Sequence, residues 1–222
     1  VNGMTNPAKR LAESFCFERE FFVDSIFFDE EWQINEREGE NRRLFADHLV
    51  LTMPVPQILE LFQRSKFELE SKVMNQLEAV QYTRCLALLG ILDKPSVLSD
   101  PGTLTHPVPD IDWISDNQLK GISEVPACTV HAANDYSQKF WDSPQEGGPY
   151  LVKVAEECLQ AKITEWSCHR WGFAKPLVTF GANQYISAWD RLSLAGDSFG
   201  GERIENAAMS GWDAAQAILD ME

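Results

Sequence analysis

The sequence is short of positive charge. Its 222 residues carry 19 Lys and Arg against 34 Asp and Glu, a formal net charge of −15, and such a surface repels phosphate backbones and anionic lipid faces. No nucleic acid and no membrane is therefore expected among its partners. Long apolar runs are missing too: the longest, LALLGIL at 86–92, is far below the ~20 residues of a spanning helix, and FFVDSIFF is interrupted by Asp24. Paired cysteines are lacking. Cys16, Cys85, Cys128, Cys158 and Cys168 are odd in number, scattered, and contain no C-x-x-C, which argues against a disulfide framework and fits a reducing, cytoplasmic setting. Cys158, Cys168, His169 and His131 do not supply the short two-ligand knuckle of zinc sites, so no metal site is expected. Neither a G-x-S-x-G elbow nor a Ser–His–Asp order stands out, and no catalytic nucleophile or obligatory general base is assigned. The opening VNGMTNPAKRLAESF has no basic n-region followed by an apolar stretch and is not a signal peptide. With Val1 ahead of Met4, it reads as a start in mid-fold.

What is present is a soluble, core-forming composition, 44% hydrophobic and 24% charged, in a chain long enough to bury a core. Apolar spacing at Ala8, Leu11, Ala12 and Phe15 predicts a helix over 6–15, with Asn6 as cap and Pro7 in its first turn. Three β-prone runs follow at 21–28, 31–35 and 44–53, separated by acidic or Gly-containing turns, and predict an antiparallel meander. HLVLTMP reads as a strand buried on both faces. Next come a helical stretch (QILELFQRSKFELESKVMNQL), a strand (YTRCLALLGIL), a proline-rich loop over 93–112, strands near 113–115 and 128–132, a helix opened by Pro149, and a strand near 165–170. His131, on a β-prone run, reads as a core histidine. The stretch 56–164 is expected to be an inserted α+β unit between segments of a different sheet.

The most informative stretch is RLSLAGDSFGGERIENAAMSGWDAAQAIL. A short apolar strand at 192–195 ends in Gly196-Asp197, passes Gly200-Gly201, and enters a helix near Arg203 or Ile204. Ile204, Ala207, Ala208, Gly211, Ala215 and Ile218 fall on one side of it, small enough for close approach to a sheet or ligand. The first turn of such a helix offers unpaired backbone N–H groups and partial positive charge. A carboxylate at the strand tip, Asp197, can accept hydrogen bonds from sugar or ribityl hydroxyls. Spacing alone is equally served by a turn aspartate and ordinary helix packing.

AGDSFGGERIENAAMSGWDAAQAIL resembles the C-terminal signature of the flavin-containing amine oxidase superfamily, and within it of renalase-like FAD-dependent oxidoreductases. WISDNQLKG at 113–121 and CHRWGFAKP at 168–176 are similar to that family's substrate-domain segments. NGM with the helix after it, Val23 to Ile26, and LVLTMPVPQ resemble its mid-chain FAD-domain passage. The resemblance implies a mixed α/β and α+β fold: part of an FAD-binding, glutathione-reductase-like domain with an inserted substrate domain of antiparallel sheet plus helices. Its expected divisions are 1–55 (partial FAD-binding domain), 56–164 (substrate-binding domain) and 165–222 (return to the FAD-binding domain). The family's N-terminal βαβ unit with G-x-G-x-x-G has no counterpart in this sequence. The chain is thus expected to be the C-terminal portion of a flavoenzyme, with that dinucleotide-binding segment as its missing partner.

By the same resemblance the cofactor is FAD. Ile204, Glu205 and Asn206 would face the flavin ring, Gly196, Asp197 and Arg203 would border the cofactor, with Asp197 at its ribityl or pyrophosphate region, and the Val23 backbone would meet adenine. On the substrate side the resemblance implies Trp171 as an aromatic wall, Asn117 and Lys120 as polar groups, and Arg170. Strand alternation sends Arg170 and Trp171 to opposite faces, and Arg170 is equally read as a salt-bridge partner. The implied reaction is hydride transfer from a reduced nicotinamide-like (NAD(P)-type) or amine small molecule to flavin, with oxygen as acceptor. The alternative is a non-catalytic binding protein that keeps the fold without the cofactor.

Overall fold

The computed structural model describes residues 5–37 and 42–221. The chain divides into two compact units, one comprising the residues up to Phe17 with Thr83–Ala174, the other Glu18–Tyr82 with Lys175–Glu222.

The second unit is built around two small sheets. β1 (Val23–Asp29), β2 (Glu31–Glu36) and β3 (Arg43–Ala46) form an antiparallel three-stranded meander. The third expected strand is in fact two. The chain bends at Asp47-His48, and β4 (Leu49–Leu51) leaves the meander to pair in parallel with β11 (Leu192–Leu194), whose other edge carries β10 (Tyr185–Ser187). β4 is not buried on both faces, because Val50 remains exposed. Between β4 and the next strand stand two helices, α2 (Val55–Ser65) and α3 (Ser71–Glu78). One continuous helix does not form there: Lys66 takes a left-handed conformation (φ 52°) and closes α2, after which 67–70 run without helix.

Val55, Ile58, Leu61 and Phe62 recur at helical spacing on α2, and all four are buried. They join Ile26, Trp32, Leu77, Leu192, Leu194 and Phe199 in one apolar core. α2 and α3 thus pack with 18–82 and 175–222, although the sequence places 56–78 in the inserted stretch. Trp32 has no exposed surface. Its indole Nε1–H donates to the carbonyls of Asp190 and Arg191 at 2.8 and 3.1 Å, so the ring is satisfied at its polar edge and packed against Phe28 and Phe67 elsewhere.

His48, at the bend before β4, lies 3.0 Å from the hydroxyl of Ser193, which is itself buried on β11. Burial, with the nearby Arg191 cation, pushes the imidazole below its ordinary value. Folding therefore favours neutral His48, and the unfolded chain takes up the proton first as pH falls. Stability is expected to decline as pH drops from about 6.5, the unfolded value, through the lower folded value. Replacing His48 with Gln should flatten that decline. Denaturant midpoints followed from about pH 7.5 to about pH 5 check it, and parallel curves for the two proteins would contradict it.

The first unit holds a five-stranded sheet in the order β6-β7-β8-β5-β9. Here β5 spans Gln81–Leu92, β6 Thr103–Val108, β7 Ile111–Asp116, β8 Ala127–Ala132 and β9 Ile163–Val178. β6, β7, β8 and β5 pair successively in antiparallel fashion. The proline-rich stretch over 93–112 is not all loop, since it contains β6, in which His106 takes a left-handed conformation (φ 48°). One face of the sheet is covered by α5 (Pro144–Leu159), through Leu151, Val154, Ala155 and Leu159 against Leu86, Leu88, Ile114 and Val130.

α5 begins before the expected Pro149, at Pro144, and Pro149 lies inside it. Pro149 leaves one carbonyl without its helical donor. The adjoining glycines let the helix come close: a Cβ on Gly147 would press on Phe140, and one on Gly148 would overlap Trp166. A short helix, α4 (Asn134–Lys139), precedes it. At the start of the chain α1 runs over Asn6–Ala12, shorter than expected, and Thr5 rather than Asn6 precedes its first turn.

Candidate functional site

In the second unit β11 ends just before Ala195, and the chain turns at Gly196 into a single helical turn, α6 (Asp197–Gly200), then through Gly201 into α7 (Ile204–Leu219). Gly196 has φ 129°, a region that side-chain-bearing residues rarely enter. A Cβ there would also lie 3.2 Å from the Thr52 carbonyl oxygen. The expected strand, Gly-Asp, loop and helix therefore form a tight elbow. The elbow borders a cleft of about 400 Å³, inside the range of small-molecule sites of roughly 300–1,000 Å³. Thr52, Gly196, Asp197, Glu202, Arg203 and Ile204 line it, with the small Ala207 and Gly211 behind them.

The expected residues divide at this cleft. Gly196, Asp197, Arg203 and Ile204 line it. Glu205 and Asn206 lie in the exposed first turn of α7, outside that lining. Arg203 precedes α7 without a side-chain cap, so the first-turn N–H groups keep their donor capacity. Of the expected stripe, Ile204, Ala207 and Gly211 line the cleft, while Ala208 and Ala215 are exposed and the buried residues of the helix are Ser210 and Ala214. Ser210 is fixed at the back of the elbow, accepting from the Gly196 N–H at 2.9 Å and donating to the Asn183 carbonyl. Val23 stands at the start of β1 in the meander, where its carbonyl accepts weakly from Arg64 at 3.5 Å, and it does not line the cleft.

Sequence reasoning missed Tyr82. Its hydroxyl donates to Asp197 Oδ1 at 3.2 Å, and burial is the main cause that pushes the phenol up to about 12, so it stays a proton donor at neutral pH. Two residues 115 positions apart give no local signal of such a pair. Tyr82→Phe should lower the stability of this unit by about 1–2 kcal/mol by leaving Asp197 without that donor. Urea unfolding measures it, and an unchanged midpoint would show that water replaces the phenol at no cost.

In the first unit the face of the sheet opposite α5 carries a row of rings. Trp113 on β7 lies 5.1 Å from His131 on β8, and His131 lies 5.3 Å from Trp171 on β9. His131 and Trp171 are separated by β5 in the sheet order. The residue opposite His131 on β5 is Ala87, which is only 2% exposed and small enough for the rings to meet above it. Lys120 places its ammonium 4.5 Å from the Trp113 ring centroid, a cation–π contact. Two expected residues, Lys120 and Trp171, are thus joined through two that were not, Trp113 and His131. The core reading of His131 does not hold, because the ring is half-buried between two indoles on this face.

Asn117 is engaged at both ends of its amide, accepting from Ser115 Oγ at 3.1 Å and donating to Thr129 Oγ1 at 2.9 Å. Its backbone carbonyl also receives the N–H groups of Ile122 and Ser123, so it organises the β7–β8 connection. Arg170 turns away from the ring row and lies by Trp141, as alternation along β9 requires. Among the described residues no three His, Cys, Asp or Glu side chains gather as a metal site, and no helix is long and apolar enough to cross a membrane.

No family model matches the sequence. Solved structures do match in fold. Cyclohexylamine oxidase from Brevibacterium oxydans superposes with a TM-score of 0.72 at 19% identity, over 96% of this chain and 51% of that one. A cofactor-binding redesign of putrescine oxidase gives 0.71 at 11% identity, over 99% and 53%. A fatty acid isomerase from P. acnes gives 0.62 at 11% identity, over 90% and 48%. The chain has the mixed α/β fold of these enzymes and spans about half the length of each.

Proposed function

We propose that this chain is the substrate-binding and flavin-facing portion of an FAD-dependent oxidoreductase of the flavin-containing amine oxidase superfamily, with renalase-like specificity. The observation that carries the reading is the elbow after β11, where Gly196, Asp197 and the uncapped start of α7 border one cleft. Bound there, FAD would supply hydride acceptance from a reduced nicotinamide-like or amine substrate, with oxygen as the final acceptor. The chain's own residues bind and orient. Asp197 and Glu202 bring two carboxylates to the cleft, which suits hydroxyl groups and disfavours phosphates, so Asp197 holds ribityl hydroxyls in preference to pyrophosphate. The α7 amides and helix dipole favour negative charge at the ring edge. Trp171, with Trp113 and His131, forms an aromatic wall for the substrate, while Lys120 and Asn117 provide its polar groups.

The partner in this reading is a dinucleotide-binding βαβ segment with G-x-G-x-x-G. Two features support it: β4 is a terminal strand of its sheet among the described residues, and α7 leaves Met209, Trp212 and Leu219 exposed. Parallel strands are normally covered on both faces. The cytoplasmic setting is supported by five free cysteines. The full-length polypeptide is expected to be yellow with flavin absorbance and to bleach anaerobically on adding an amine or a dihydronicotinamide. A colourless polypeptide that ignores added FAD overturns the reading.

A further inference from the structure

Two arginines of the first unit converge on a single indole. The Arg84 guanidinium lies 4.8 Å from the Trp141 ring centroid and that of Arg170 lies 5.8 Å from the same ring. Arg84 sits on β5 and Arg170 on β9, adjacent strands of the sheet, and both side chains are exposed. Trp141, between α4 and α5, is half-buried and packs against the core of the unit, so the ring is a fixed support. Gly172 leaves room beside it, since even an added Cβ would only just touch the indole, at 3.8 Å. Each arginine is further held in place: the Arg84 backbone N–H donates to Asn134 Oδ1 at 2.9 Å, and Arg170 Nη1 donates to the Trp141 carbonyl at 3.4 Å.

Neither guanidinium forms an ion pair among the described residues. Even Asp142, next in sequence to Trp141, pairs with neither. An added anion would relieve the repulsion between two like charges held at one ring. Each guanidinium retains N–H donors in a planar fork matched to an oxyanion. The net negative field of the chain does not cancel such a site, because it is screened beyond about 8 Å at physiological ionic strength.

We infer that Arg84, Trp141 and Arg170 form a recognition site for the oxyanion of a small organic ligand, a carboxylate or a phosphate. The site is independent of the proposed redox chemistry. The test titrates the protein with benzoate, inorganic phosphate and, as a cationic control, benzylamine, following arginine side-chain N–H resonances and heat of binding at low and at physiological salt. Saturable binding of one or both anions is expected, with shifts confined to the Nε–H signals of Arg84 and Arg170. Arg84→Gln and Arg170→Gln should each weaken it by roughly tenfold or more, as for loss of a hydrogen bond to a charged group. Both residues are exposed, so the variants should fold normally. Benzoate binding alone assigns a carboxylate ligand, and phosphate binding alone a phosphorylated one. Failure of both anions to saturate, equal binding by the double variant, or equal preference for benzylamine overturns the proposal.

Discussion

Replacing Trp32 with alanine is expected to destabilise strongly the unit formed by 18–82 and 175–222. The indole has no exposed surface and ties β2 to the chain ahead of β11 through its hydrogen bonds to Asp190 and Arg191. The substitution removes the largest fully buried side chain and leaves a cavity beside Phe28 and Phe67. It also removes the indole donor from the Asp190 carbonyl, while that of Arg191 keeps the Leu49 N–H at 2.9 Å. Buried Trp or Phe to Ala substitutions cost roughly 3–5 kcal/mol, a large part of the about 5–15 kcal/mol that holds a domain folded. Equilibrium denaturation should show a large drop in midpoint. Trp32→Phe, which keeps most of the packing and loses the N–H, should cost markedly less. Equal losses for both variants would mean that the hydrogen bonds, not the packing, dominate.

Gly200→Ala is expected to be the most damaging small change at the elbow. The added methyl carbon would overlap the backbone carbonyl of Asn206 and come within 3.1 Å of Ser210 Cβ. A backbone atom inside a helix cannot turn aside as a side-chain end can, so α7 itself must move. Ser210 would then lose its hold on Gly196 and Asn183. Overpacking of this kind costs about 1–3 kcal/mol. Gly211→Ala is the control, since a Cβ there meets nothing within 4 Å. In the interior of α7 it should stabilise by roughly 0.5–1 kcal/mol. Thermal unfolding of the two variants should therefore shift in opposite directions, and a shared direction would contradict the geometry of the elbow.

Much of this arrangement is legible in the sequence because it is local. The apolar spacing of Val55, Ile58, Leu61 and Phe62 marks a helix face wherever the helix ends up. Gly196-Asp197 after a short apolar strand marks a turn, and alternation separates Arg170 from Trp171. Other features are not legible, for an equally physical reason. The run over 44–53 looks like one strand, and nothing within it reveals that its two halves join different sheets. The break at Lys66 falls on a residue with no special preference for the left-handed conformation. The ring row depends on the register between β7, β8 and β5, and on the smallness of Ala87 beneath it. His131 therefore looks like any core residue when its own segment is read alone.

Reading the chain by itself determined the acidic surface, the apolar periodicities and the chemistry carried by single residues, because these depend on neighbours a few positions away. Tertiary structure alone decided that α2 and α3 belong with β1 and β11, that Tyr82 reaches Asp197, and that Arg84 and Arg170 share one indole. Those pairings link positions that lie far apart along the chain. They are selected by how buried surfaces fit and by where each buried polar group finds its partner, and no window of sequence contains both halves of such a contact.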